Sequence, residues 1–368
     1  MNLTDLLSGS VISSIAGQTG TSEKDTQNVL ANALPALVGA MAQNASTEDG
    51  ANSLARALDD HTSSKGLASL LQNVDTEDGA KILTKILGGE TETVQNAVAK
   101  KSGASKVDTS KILAMAAPLL LAALGSQLRR MFTAPEGCVL VDADYSQIEL
   151  RLLAHIAGDT EMQAAFRSGE DFHTVTASRV FHVEPQEVTP EMRRRAKAVN
   201  FGIVYGISAF SLAQDIGVSV AEAKAYMERY FETYQGVRQY MTDVVAKAEQ
   251  DGYVQTLMHR RRALPELKSS NFNMREFGKR VALNMPVQGT AADIMKLAMV
   301  RVHHRLKREG LRARLLMQVH DELIVECPAS EREQVERLLT EEMEQAAQLS
   351  VPLIAEAHSG KNWLAAKE

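Results

Sequence analysis

The chain has 368 residues, 45% hydrophobic and 23% charged, with a formal net charge of −6, which excludes a disordered or fibrous chain and a uniformly basic nucleic-acid coat. Two cysteines, Cys138 and Cys327, exclude a disulfide framework and a Cys-rich zinc site and point to a reducing compartment. Met1-Asn-Leu-Thr-Asp5 lacks the features of a signal peptide, and the longest apolar stretch, Ile112 to Leu124, is shorter than the roughly 18 residues of a spanning helix, so a cytoplasmic protein with no membrane partner is expected.

The chain changes character near Gly125-Ser126-Gln127. All nine Phe, seven Tyr and the single Trp lie after position 125, and residues 1–125 carry 13 acidic and 9 basic residues, with Arg56 as their one arginine. This first segment reads as nearly all helix. Ser22-Glu-Lys-Asp offers a capped start, after which Val29, Leu30, Leu34, Leu37, Val38 and Met41 recur at helical spacing. Thr47-Glu-Asp-Gly-Ala51 returns as Thr76-Glu-Asp-Gly-Ala80, with Leu54 and Leu58 matched by Leu83 and Leu87, so two helical units of one kind are expected. With His61 its only histidine, the segment presents no catalytic set, and its acidic helix starts read as solvated, dipole-matched N-termini.

Further along, Cys138-Val-Leu-Val-Asp-Ala-Asp144 is a short β-rich run, and the sequence from Tyr145 to His155 turns to helical spacing. Asp144 therefore sits where strand becomes helix, held by a rigid element and open to a cleft, as a ligand of Mg²⁺ needs to be; an ordinary strand-end aspartate is the other reading. A second acidic site lies in Leu315 to Glu326, where two apolar strand-like runs flank His320-Asp321-Glu322 at the tip of a hairpin. Asp144 and Asp321 have the chemistry to share a pair of Mg²⁺ ions about 3.5–4 Å apart. Glu322 is either a third ligand or a solvated hairpin residue.

Between the two acidic sites, Arg193, Lys197, Phe201 and Tyr205 fall four apart and line one face of a predicted helix as cation, cation, aromatic, aromatic. Arginine and lysine can take phosphates while the rings stack on sugar and base. A basic surface helix with a buried aromatic stripe is the alternative. His259-Arg-Arg-Arg262 reads as a loop either touching phosphate or solvated, Arg301 to Arg314 as a basic solvated segment, and Glu331 to Gln348 as a packing helix with Val335, Leu338, Leu339 and Met343 inward.

Asp144-Tyr-Ser-Gln-Ile-Glu-Leu-Arg151, the series Arg193, Lys197, Phe201-Gly202 and Tyr205-Gly206, and Val319-His-Asp-Glu-Leu323 together resemble motifs A, B and C of the family A DNA polymerases. Gln288-Gly-Thr-Ala-Ala-Asp293, Arg280, Asn284 and Gly360-Lys-Asn-Trp363 extend the likeness over residues 127–368. Residues 1–125 resemble the YidB-like family of small bacterial helical domains of unknown function, in Gly88-Gly89 and in the run from Ala116 to Gly125.

The polymerase resemblance implies roles position by position. Asp144, Asp321 and the Tyr145 carbonyl would bind two Mg²⁺ ions, for which Mn²⁺ substitutes, and Glu322 would support that catalytic site. Glu149 would be the steric gate against a 2′-hydroxyl, with Gln147 beside it at the nucleotide. Arg193 and Lys197 would grip the triphosphate, with Lys197 donating a proton to pyrophosphate. Phe201 would stack on the incoming nucleotide and Tyr205 border the templating base, while Arg280, Asn284, Gln288 and His320 would contact primer or template DNA. Phenylalanine at 201 implies discrimination against dideoxynucleotides.

The expected fold is α+β: an all-helical N-terminal domain (1–125) joined to a palm (126–156 and 280–368), an antiparallel sheet with helices, and helical fingers (157–279). The thumb and exonuclease domains of that family are absent from the pattern. The expected function is DNA synthesis from deoxynucleoside triphosphates on a primer-template. The competing expectations are a catalytically weak DNA-binding module derived from a polymerase, and a phosphohydrolase using the same two aspartates. The sequence names no partner for the N-terminal domain.

Overall fold

The computed structural model describes residues 7–44, 47, 76–87 and 90–367. Its N-terminal part is helical: α1 (Gly9–Thr19), α2 (Glu23–Asn44), α3 (Thr76–Leu87), α4 (Thr91–Ser102) and α5 (Lys106–Arg129). The Ser22 cap forms as the sequence predicts, its hydroxyl accepting the Asp25 N–H at 3.0 Å and donating to the Asp25 carboxylate at 2.7 Å. Val29, Leu30, Leu34, Leu37 and Met41 of α2 are buried against Ile82, Leu83 and Ile86 of α3 and Ile112 to Leu120 of α5. Gly79 permits the close crossing of α3 on α5, because a β-carbon there would fall 1.9 Å from the Ala114 carbonyl oxygen. The first copy of the repeat from Glu48 onward, with Leu54, Arg56, Leu58 and His61, lies outside the described residues, as do Gly88 and Gly89.

Helix α5 runs unbroken through residues 125–127 to Arg129. After it come β1 (Cys138–Tyr145), α6 (Ile148–Ile156), α7 (Thr160–Ser168), α8 (Phe172–Phe181), α9 (Pro190–Val204), α10 (Ala209–Ile216), α11 (Val220–Thr233) and α12 (Gln235–Asp251). A small hairpin of β2 (Tyr253–Gln255) and β3 (Arg261–Ala263) precedes the long α13 (Phe272–Arg308). The chain then gives β4 (Arg314–Val319), β5 (Glu322–Pro328), α14 (Arg332–Glu344), β6 (Ala355–Gly360) and α15 (Trp363–Lys367).

The four long strands form one antiparallel sheet in the order β4-β5-β1-β6. Alternation along β1 splits its residues between two cores. Val139, Val141, Ala143 and Tyr145 join the large core with α6, α13 and α14, and Leu140 joins Ile324 and Trp363 on the opposite face. Val335, Leu338, Leu339 and Met343 of α14 are buried, as their spacing predicts. The basic segment Arg301–Arg314 is tied into the fold rather than merely solvated: Arg301 and Arg305 pair with Glu342, Arg312 with Glu331 and Arg314 with Glu326. Among the described residues no helix is long and apolar enough to cross a membrane.

Candidate active site

The register of the sheet brings the acidic residues together. Asp144, next to the end of β1, lies directly opposite Glu322 of β5 on one side and Glu356 of β6 on the other. The hairpin β4-β5 turns at His320-Asp321, with His320 at φ +43°, a left-handed conformation that a tight strand connection demands. The Tyr145 N–H donates to the Asp321 carbonyl at 3.1 Å, tying the strand end to the hairpin tip, while the Tyr145 hydroxyl anchors on the Met343 carbonyl at 2.7 Å.

An open cleft of about 790 Å³ lies at this edge. Its walls include Asp144, Tyr145, Gln147, Glu149, Phe201, Tyr205, Gln288, His320 and Asp321, so nine of the residues singled out from sequence share one space. Glu149 is held from two sides: the Tyr205 hydroxyl donates to it at 2.6 Å, and Gln288 is its second partner. Burial raises the Glu149 pKa against the pull of these bonds, and burial together with the neighbouring carboxylate raises that of Tyr205. Phe201 also packs on the His173 ring, 5.7 Å between centroids.

Glu322 is not the solvated hairpin residue that one reading of the sequence allowed. It is 2% exposed, because residue 322 belongs to β5 beneath the turn, and it is bonded to the Lys367 ammonium. Lys197 and Arg193 are exposed on α9 and do not line the cleft. Arg193 instead forms a two-pronged ion pair with Asp171, 2.8 and 2.9 Å, and Asp171 caps α8. Although burial pushes the other way, the Arg193 and Thr174 hydrogen bonds bring the Asp171 pKa down to about 2. Tyr205 is the residue just past the helix end, and Arg280 and Asn284 lie on α13 outside the cleft wall, with the Asn284 side-chain oxygen buried. In the loop before β3, Arg260 turns inward to Asp293 and the Gly289 carbonyl.

Several residues at the site were given no role from the sequence. Asp142, two residues before Asp144 and hence on the same face of β1, is 3% exposed and accepts the Trp363 indole N–H at 2.8 Å. The Arg129 guanidinium lies over the Trp363 ring at 5.0 Å, delivered there by α5. Only the i, i+2 spacing of Asp142 was readable; Trp363, Arg129 and Lys367 reach this point through tertiary packing.

Burial and then the charge of Asp321 raise the Asp144 pKa, and burial does the same for Asp321 and Asp142. Among the described residues no group of three or more His, Cys, Asp or Glu is arranged to hold a metal ion. Two hard carboxylates nevertheless border the cleft, and Asp144 Oδ1 and Glu322 Oε1 are buried acceptors without a hydrogen-bond donor. Such a set fits a hard cation like Mg²⁺ that keeps water and takes further oxygens from a phosphate ligand, rather than one enclosed by protein.

Residues 104–365 match the family model for DNA polymerase family A, and residues 2–127 match the model described as a bacterial protein of unknown function, DUF937. The chain is 55% identical over 244 residues to DNA polymerase I of Bacillus caldotenax and 54% identical over 244 residues to that of Bacillus subtilis strain 168. In each case the alignment covers 66% of this chain and 28% of the relative, so the chain spans a little over a quarter of their length. A solved structure, the POL domain of Pol1 from M. smegmatis in complex with DNA primer-template and dNTP, superposes with a TM-score of 0.66 at 33% identity. That superposition covers 93% of this chain and 70% of the other, and so takes in part of the N-terminal helices as well.

Proposed function

The chain belongs to DNA polymerase family A, and from that premise we propose that it performs template-directed DNA synthesis, joining a deoxynucleotide to a primer 3′-hydroxyl. The observation that carries this reading is the convergence of three separate sequence segments, around Asp144, Phe201 and Asp321, on one cleft. In this proposal β1 and β4–β6 belong to a palm (126–156 and 280–368), α7 to α12 lie in fingers (157–279), and residues 1–125 have a role of their own.

The primer oxygen attacks the α-phosphorus of the triphosphate, a new P–O bond forms, and the bond to the bridging oxygen breaks to release pyrophosphate. Asp144 and Asp321, with the Tyr145 carbonyl, would hold two Mg²⁺ ions, or Mn²⁺ in their place, and bound ions would supply electrostatic stabilisation of the charge developing in phosphoryl transfer. Arg193 spends two of its five N–H groups on Asp171 and keeps the rest for phosphate oxygens. Lys197, exposed one turn further along α9, reaches the same phosphates and supplies a proton to the leaving pyrophosphate. Phe201 offers a face to the incoming base. Glu149, bonded to Tyr205 and Gln288, presents a rigid floor under the sugar that a 2′-hydroxyl would strike, and Gln147 lines the same wall. Gln288, Arg280, Asn284 and His320 are assigned to the primer-template.

Primer extension with the purified chain, a primed template, Mg²⁺ and all four deoxynucleotides at low salt tests the proposal. Extension that falls by about 10³-fold or more in Asp321→Ala is the expected result, since oriented electrostatic stabilisation carries most of such a reaction. A folded chain that binds the primed template but never extends it overturns the proposal in favour of a non-catalytic DNA-binding module.

A further inference from the structure

The carboxylates of the site are crowded by the sheet itself. Glu322, Asp144 and Glu356 stand opposite one another on three neighbouring strands, with Asp321 at the adjoining turn and Asp142 two residues back on the same face. Like charges placed directly across strands repel, and Glu322 and Asp142 are withdrawn from water as well.

One ammonium group enters this cluster from helix α15. Lys367 Nζ bonds Glu322 Oε2 and lies 3.6 Å from Asp144 Oδ2, and its charge also acts on Asp142 and Asp321. The helix that carries it is fixed to the sheet. Trp363 is fully buried, donates to Asp142 and meets Phe132 edge-on at 5.3 Å. Gly360 lets the helix close on β6, since a β-carbon there would sit 2.5 Å from the Ala365 carbonyl carbon.

We propose that Lys367 is a built-in counter-cation of the carboxylate cluster, neutralising Glu322 and Asp144 when no divalent ion is present and giving up Asp144 when one binds. The inference rests on the reading of Asp144 and Asp321 as the divalent-ion site. The two contacts differ in the way such an exchange requires. Glu322 is 2% exposed and directly bonded to Lys367, whereas Asp144 is 43% exposed and only approached. An ion arriving from the cleft meets Asp144 first and can take it while the ammonium, itself 33% exposed on a flexible stem, stays with Glu322. Asp144 Oδ1 and Glu322 Oε1, buried and without donors, show that the ammonium alone leaves acceptor capacity in the cluster. The lysine thus keeps the empty site folded and lowers its apparent affinity for the ion.

The test is Mn²⁺ binding to the full chain without DNA or nucleotide, followed by calorimetry and by the electron spin resonance of free Mn²⁺, together with melting in EDTA. Lys367→Gln is expected to bind Mn²⁺ about tenfold more tightly than the wild type, to melt lower in EDTA, and to recover on adding Mn²⁺. Lys367→Arg, which keeps the charge, is expected to stay within about threefold of the wild-type affinity. Equal or weaker binding by Lys367→Gln overturns the counter-cation role and leaves the ion site standing. Absence of Mn²⁺ binding in both wild type and variant overturns the ion site as well. A Lys367→Gln chain that folds only with Mn²⁺ supports the exchange, and one that stays unfolded with Mn²⁺ overturns it.

Discussion

The helical region before Arg129 and the polymerase-like region after it bury different chemistry. Among the described residues, the first fills its interior with Ile, Leu, Val, Met and Ala, and its buried polar side chains are the neutral Thr26, Ser102 and Thr109. The second buries Asp142, Arg151, Asp159, His173, Asp293, Glu322 and Glu342. Burying aliphatic groups is rewarded by removal from water, whereas each buried charge must be matched by partners. Some of these charges serve the fold. Asp159 caps α7 and accepts the Gly236 N–H at the start of α12, and Arg151 bonds the Ser146 and Pro352 carbonyls while lying over Phe166. Glu322 and Asp144 instead keep buried oxygens without donors at the edge of the cleft; Tyr230, Tyr240 and Asp293 also hold a buried atom without a partner, so it is the position beside the cleft that sets the candidate site apart from structural polar packing.

The largest change that would sharpen this contrast is in the helical region, where no charge is buried among the described residues before Arg129. Gly79→Ala drives a methyl into the Ala114 carbonyl, and a loss of about 3 kcal/mol or more in chemical denaturation is expected, despite the better helix propensity of alanine. Unchanged stability would mean that α3 and α5 can part freely and that this core is looser than its packing.

In the other region, His173 is buried and its Nδ1 meets the Asn200 side-chain amide at 2.9 Å; burial pushes its pKa down to about 4. An unfolded histidine titrates near ~6.5, so below that pH the unfolded chain binds a proton that the folded chain refuses. Stability then falls between about pH 6.5 and pH 4, by up to roughly 3 kcal/mol, and is flat with respect to this group above that window. His173→Gln keeps an acceptor without titrating, so denaturation measured across pH should lose that slope; an identical slope in the variant would refute the assignment.

Trp363→Phe keeps the ring against Phe132 but removes the donor to the buried Asp142, and a cost of about 2 kcal/mol is expected in the same assay. A neutral result would place Asp142 among the residues whose charge the fold does not need to satisfy. Smallest of all, Ser22→Ala removes the α2 cap for about 1 kcal/mol, a local effect visible as helix-end fraying by hydrogen exchange.

Much of the site was legible because its chemistry is carried by local signals. Asp144 at a strand end, His320-Asp321 between two apolar runs and the four-residue spacing around Phe201 each follow from a periodicity that the backbone imposes. Of the helical face beginning at Arg193, Phe201 and Tyr205 line the cleft, while Arg193 pairs with Asp171. Asp171 is the cap of α8, and its pairing with a residue 22 positions away had no local trace.

The sequence by itself determined the capped start of α2 at Ser22, the strand that ends near Asp144 and turns to helix, and that two unlike regions adjoin. These are properties of spacing, capping and composition within a few turns of chain. Only the tertiary structure decided that one helix, α5, passes unbroken through residues 125–127 and sets Arg129 over Trp363. It alone put Glu322 and Glu356 on either side of Asp144 and brought Lys367 among them. Strand register and the docking of a short helix are chosen by packing between distant segments, and no local pattern encodes which charges such packing makes neighbours.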